Sequence, residues 1–239
     1  MPDLQPSTVR ASTHPAPVRP LITLILCALN ILAWCLVSIA GNTSTSARTP
    51  AGILHALTRH VDSTILLRFG ALDGATLGAG GWWRLLTSQL LHVQPAHLLF
   101  NMVGLLVLGT MLEREFGHWR FALLYLAAGT VGQLASVLFA PTVISSGASQ
   151  AVIGLAGACL VVLLFRPHLR NSRWLALALP MLVWTGLQIA LDVVSSGAIK
   201  PGHMAGFLAG FVVALLLLPW WNHRQETIVD HSPADGGNR

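Results

Sequence analysis

Charge is what this chain most lacks. Only 10% of its 239 residues are Asp, Glu, Lys or Arg, against roughly 25% in a soluble globular domain. Hydrophobic residues make up 54%, and the mean hydropathy is +0.65. This shortage argues against an ordinary soluble domain and for an all-α polytopic membrane protein surrounded by a lipid bilayer. Cysteine is also scarce: Cys27, Cys35 and Cys159 all lie within apolar runs. Their spacing fits neither a zinc site nor a disulfide framework, so they read as small buried hydrophobes. A basic stripe with interleaved aromatics is missing too. The net charge of +5 and the pI near 10.1 therefore do not indicate a nucleic-acid partner.

What is present is a succession of long apolar runs. Residues 1–20 are polar and Pro-rich and read as a flexible cytoplasmic tail. The run at 21–40 ends in "SIAG", which has the small-residue look of a cleavage site. It is longer than the ~7–15 residues of a signal-peptide core, so a retained first span is expected. A long first outer loop follows, at about 41–94, and a connection of that length usually carries structure or function of its own. Within it, Trp82, Trp83 and Arg84 are expected to anchor at the lipid–water boundary. Apolar segments then fall at about 95–112, 121–139, 149–165, 174–194 and 202–221. The expectation is one six-span domain at 21–221, followed by a polar cytoplasmic tail at 222–239. With the N-terminus inside, nine of the 14 Lys and Arg residues face inward. The other five are Arg48, Arg59, Arg68, Arg84 and Lys200. Four of these lie in the long first loop, where charge bias is least informative, so both termini are expected to be cytoplasmic.

Between residues 121 and 165 there is no Asp, Glu, Lys, Arg or His. The segment from Ser149 to Phe165 has 17 residues. At ~1.5 Å per residue it rises only ~25 Å, short of a ~30 Å hydrocarbon core. If Arg166 marks the inner surface, Ser149 lies below the outer one. His97 precedes Glu113 by 16 positions and His203 precedes Trp220 by 17. All three side chains then sit ~24–26 Å above the inner surface. Polar and ionisable groups at one depth on three helices suggest a shared site.

The local patterns agree with that idea, each weakly. In "HLLFN", His97 and Asn101 share a helix face at i,i+4, although such a pair can simply hold helices together. In "GHMAGFLAG", Gly206 and Gly210 follow His203 on one stripe and allow close helix approach. Gly147 and Ala148 leave Ser149 open at a helix start, where free N–H groups could meet an oxyanion. A plain helix-capping serine is the ordinary alternative. Taken together, the groups fit nucleophile, base and oxyanion donors. Ser149 is the candidate nucleophile and His203 the general base and acid, with His97, Asn101 and the Ser149 N–H as oxyanion donors. No carboxylate has evident access to His203. Asp192 precedes it by 11 residues, so a dyad is expected rather than a triad.

With these residues in view, the sequence resembles the rhomboid family of intramembrane serine proteases, of the bacterial six-helix type. "WWRLLTSQLLH" is similar to the family's Trp-Arg loop element, "HLLFN" to its His-x-x-x-Asn motif and "GASQ" to its Gly-x-Ser-x motif. "GHMAGFLAG" is similar to its final His-x-x-Gly-x-x-x-Gly helix, and "LEREFG" to the end of its second span. The resemblance runs from about residue 81 to 210. It implies a six-helix bundle in a bacterial plasma membrane, with a water-filled cavity open to the outer face. It also implies a Ser149–His203 dyad, assistance from His97 and Asn101, and no metal or cofactor. Transmembrane protein substrates would be cut near the outer end of a span. There are three departures. Gln150 replaces a common Gly, Ile153 replaces a common aromatic that can stack on the histidine, and Glu115 stands where Arg is common.

Two other classes compete with this reading. One is a catalytically silent relative that binds membrane clients, motivated by Gln150 and Ile153. The other is a transporter or metal-binding protein built on His97 and His203, which the lack of an inverted repeat disfavours. His92 reads as a loop histidine, and Gln133 and Ser136 read as bonds between helices. The sequence sets no oligomeric state.

Overall fold

The structure, a computed structural model, describes residues 19–41, 49–166, 173–196 and 200–230. The expected tail at 1–20 lies largely outside these residues, and that at 222–239 lies outside them beyond Asp230; the side chains from Trp220 onward are outside as well. Ten helices follow in order: α1 (Leu21–Gly41), α2 (Pro50–Thr58), α3 (Ser63–Arg68), α4 (Gly74–Gly78), α5 (Arg84–Thr87), α6 (Pro95–Phe116), α7 (His118–Phe139), α8 (Ser149–Phe165), α9 (Arg173–Ser196) and α10 (Pro201–Asp230). The described residues contain no strand, only one antiparallel bridge between Leu72 and Ser145. Among the described residues, five helices are long and apolar enough to cross a membrane. The sixth apolar helix, α8, has 17 residues. This is an all-α polytopic membrane bundle.

Helix α8 is apolar all round, and such a helix belongs inside a bundle. Its residues Ala151 and Ile153–Cys159 are buried. Helices α7 and α10 pack most extensively against it. The contact between α8 and α10 depends on missing side chains. A Cβ at Gly206 would collide with the Gln150 carbonyl, and one at Gly210 with the Gly154 carbonyl. Backbone meets backbone there, as small-residue stripes permit. Helix α10 runs on to Asp230, past the boundary expected at 221, and its span-like part ends at Pro219.

Glu113, on the last turn of α6, is fully buried. It accepts hydrogen bonds from the backbone N–H groups of Ile22 and Thr23, both at 2.8 Å, and from Thr23 Oγ1 at 2.7 Å. His118 Nδ1 donates to it from 2.5 Å. A carboxylate thus satisfies the free N–H groups at the start of α1 and faces the positive end of its dipole. Glu113→Ala is expected to cost about 2–3 kcal/mol, because several donors lose a charged acceptor together. Thermal unfolding in detergent would measure the loss.

The first loop is built from capped short helices. Thr49 caps α2, Asp62 caps α3, and Asp73 forms a capping box with Thr76 at α4. Short polar side chains at these positions hold N–H groups that a first turn cannot pair. Arg84 Nη1 donates to the Leu67 carbonyl at 2.6 Å and to the Ala71 carbonyl at 2.8 Å. Its guanidinium also lies over Trp83, 4.6 Å from the ring centre. Arg84 was expected to be an interfacial anchor beside the two tryptophans, but here it ties the loop to itself. Trp82 and Trp83 are exposed.

Candidate active site

The loop also sets the chain that leads into α8. Leu72 and Ser145 exchange backbone hydrogen bonds of 3.1 and 2.7 Å, and Gly74 N–H donates to the Pro141 carbonyl at 2.8 Å. Gly147 N–H donates to the Ser88 carbonyl at 2.9 Å. Gly147 has φ +114°, a conformation that favours glycine. A Cβ there would lie 2.6 Å from His97 Cε1. The His97 ring therefore packs on a backbone that only glycine leaves open.

Ser149 is the first residue of α8. Its cap position belongs to Ala148, which makes no side-chain capping bond. The hydroxyl is thus not spent on a helix end. It lies 3.2 Å from His203 Nε2 on α10 and also reaches Gln150 Oε1, at 3.1 Å. The single hydroxyl proton can go to either acceptor. Gln150 is buried, and its amide nitrogen contacts Ser145 Oγ at 3.3 Å and Ser136 Oγ at 3.4 Å. Gln133 donates to the Gly147 carbonyl at 3.2 Å and accepts from Ser145 Oγ at 2.5 Å. Gln133 and Ser136 thus make bonds between elements, and Gln150 is part of the same network.

On its other side, His203 Nδ1 lies 2.5 Å from Asp192 Oδ2 at the end of α9. In the sequence, no carboxylate has evident access to His203. The structure supplies one: the Asp192 side chain, near the C-terminal end of α9, reaches His203 in the first turn of α10. The usable signal was depth: Asp192 lies within an apolar span, where an ionisable group needs a partner.

His97, Asn101, Ser149 and His203 line one cavity of about 580 Å³. Phe100 on α6 and Trp184 on α9 also line it, with ring centres 5.0 Å apart. Asn101 is buried, and its Nδ2 lies 3.1 Å from His92 Nε2. His92 in turn meets His97 edge-on, with ring centres 5.1 Å apart. His92, read as a loop histidine, therefore supports both candidate oxyanion donors. Burial, aided by the neighbouring His97, lowers the His92 pKa from 6.5 to about 3. A group depressed in the folded state favours folding above its unfolded pKa and loses that contribution as pH falls. Stability is therefore expected to drop between pH 6.5 and about 3. Unfolding midpoints at pH 7 and pH 5 should differ less in His92→Gln than in the native chain. Among the described residues, no group of three or more His, Cys, Asp and Glu converges to hold a metal ion.

The rhomboid domain model matches residues 79–220, more than half of the chain. The chain belongs to the rhomboid family. Among its relatives is rhomboid protease GluP of Bacillus subtilis, 35% identical over 199 residues, covering 83% of this chain and 35% of GluP. RHOMBOID-like protein 7 of Arabidopsis thaliana is 37% identical over 161 residues, or 65% of this chain and 50% of its own. RHOMBOID-like protein 6, mitochondrial, from the same plant is 36% identical over 157 residues, again half of its length. This rhomboid chain thus spans half or less of those relatives, which come from both a bacterium and a plant. The matched segment holds Ser149, His203, His97 and Asn101, and it begins two residues before Gly81. It is an integral membrane protein of that family.

Proposed function

We propose that the chain is an intramembrane serine endopeptidase that cuts transmembrane proteins near the outer end of a span. The observation that carries this reading is the 3.2 Å approach of Ser149 Oγ to His203 Nε2, on separate helices and at the wall of a cavity. His203 Nε2 takes the hydroxyl proton as Ser149 Oγ bonds to the scissile carbonyl carbon. The carbonyl electron pair moves onto oxygen, where His97, Asn101 and the Ser149 N–H stabilise it. The C–N bond then breaks, and His203 returns the proton to the leaving amine. Water, activated by the same imidazole, releases the acyl group. These steps use the chain's own groups and a water molecule and call on no metal or cofactor.

The site lies where α6, α8 and α10 begin, at the opposite end of the bundle from the start of α1 beside Glu113. With the N-terminus cytoplasmic, the cavity opens to the outer face. Exposed Trp82 and Trp83 then meet the lipid–water boundary. The reading is tested by expressing tagged single-span proteins with this chain in membranes. Cleavage is expected with the native chain and not with Ser149→Ala or His203→Ala.

One observation favours a second reading, that of a silent relative that binds membrane clients. Gln150 Oε1 competes for the Ser149 proton at 3.1 Å. Capture of a span without cleavage, in native chain and Ser149→Ala alike, would select it.

A further inference from the structure

We infer that Asp192 and Lys200 form a positioning pair for His203, so that the catalytic unit is Lys200–Asp192–His203–Ser149 rather than an isolated dyad. This rests on the protease reading above. Asp192 is 1% exposed and His203 6%. The two carboxylate oxygens face different partners. Oδ2 faces His203 Nδ1 at 2.5 Å, and Oδ1 faces Lys200 Nζ at 3.0 Å. Lys200 keeps 56% of its side chain exposed, whereas the carboxylate keeps 2%. The cation is therefore hydrated at the cavity mouth while the anion is held dry. A dry carboxylate needs its hydrogen bonds and charge partner in place.

The consequence for His203 is geometric. With Nδ1–H donating to Asp192, the imidazole is held in the tautomer whose Nε2 lone pair faces Ser149. When Nε2 takes the Ser149 proton, the ring becomes a cation beside a fixed anion. Asp192 keeps its charge and takes no proton, so the electron and proton balance of acyl transfer is unchanged. Lys200 adds a charged contact on the second carboxylate oxygen, at 3.0 Å, and so helps to hold the carboxylate in register. Ring support from this side also fits the neighbouring sequence. Ile153, which lines the same cavity, has no aromatic face to stack on an imidazole. Asp192 comes from the C-terminal part of α9, Lys200 immediately precedes α10, and His203 lies in its first turn.

The test uses the full chain, purified in detergent, acting on a tagged single-span reporter. The set is Asp192→Asn, Lys200→Met and Lys200→Arg, with thermal unfolding recorded for each. Asp192→Asn is expected to lower kcat on the order of 10²-fold, the cost of a misplaced reacting group, with KM within about twofold. Fluorophosphonate labelling of Ser149 should slow in parallel. Lys200→Met should lower kcat by a smaller factor, and Lys200→Arg should recover most of it. A downfield Nδ1–H resonance from His203 should be present in the native chain and absent in Asp192→Asn. The inference fails if folded Asp192→Asn cleaves as fast as the native chain, or if its loss equals its unfolded fraction. If the native chain neither cleaves nor takes up the probe, the protease reading itself falls, and this inference with it.

Discussion

Replacing Ser149 with alanine is expected to lower reporter cleavage by at least about 10⁴-fold, the scale of loss when a nucleophile is removed. The expectation follows from the position of the hydroxyl. It does not cap α8, since Ala148 holds the cap position without a side-chain bond. Its partners are His203 Nε2 and Gln150 Oε1, and neither contact is needed to hold α8 in place. The variant should therefore fold with an unchanged unfolding midpoint and still expose the cavity. A loss of activity with retained fold separates chemistry from structure. Equal cleavage by both chains would mean that the nucleophile lies elsewhere.

Gly210→Val is expected to abolish activity by a different route, through the packing of α10 on α8. A Cβ at this position collides with the Gly154 carbonyl, and its neighbours are Gly154 backbone atoms. Backbone cannot swing aside as a flexible side chain can. The helices must separate, and His203 is carried away from Ser149 with them. A cost of at least about 3 kcal/mol is expected, the upper part of the range for overpacking. Gly186→Ala on α9 is the control, since a Cβ there meets nothing within 4 Å. Its effect should stay within about 1 kcal/mol. Unfolding midpoints and reporter cleavage of both variants measure the contrast.

Much of the bundle was legible in the sequence because a bilayer imposes a simple rule. Apolar runs of span length must be helices, and the rare polar groups within them need a reason. Counting rise along three helices placed Ser149, His97 and His203 at one level, and all three line one cavity. The Gly206 and Gly210 stripe likewise reads directly as close approach. What escaped depends on tertiary placement. Asp192 is eleven residues from His203 in sequence, yet its carboxylate lies 2.5 Å from the imidazole. His92 sits in a loop, and only the packing of that loop against α6 turns it toward Asn101. Arg84 looked like a lipid anchor because it follows two tryptophans. Its guanidinium is instead taken up by carbonyls 13 and 17 residues earlier, a pairing that no local pattern announces. Gln150 stood out in the sequence only as a departure from a common Gly. It is buried in a network with Ser136, Ser145 and Gln133.

The most direct measurement of the central claim is the mass of the covalent adduct formed by a fluorophosphonate probe on the full chain in detergent. A single adduct mapped to Ser149, lost in Ser149→Ala and strongly slowed in His203→Ala, is the predicted result. An unmodified Ser149 in a folded native chain, or an adduct that forms equally well without His203, would contradict it.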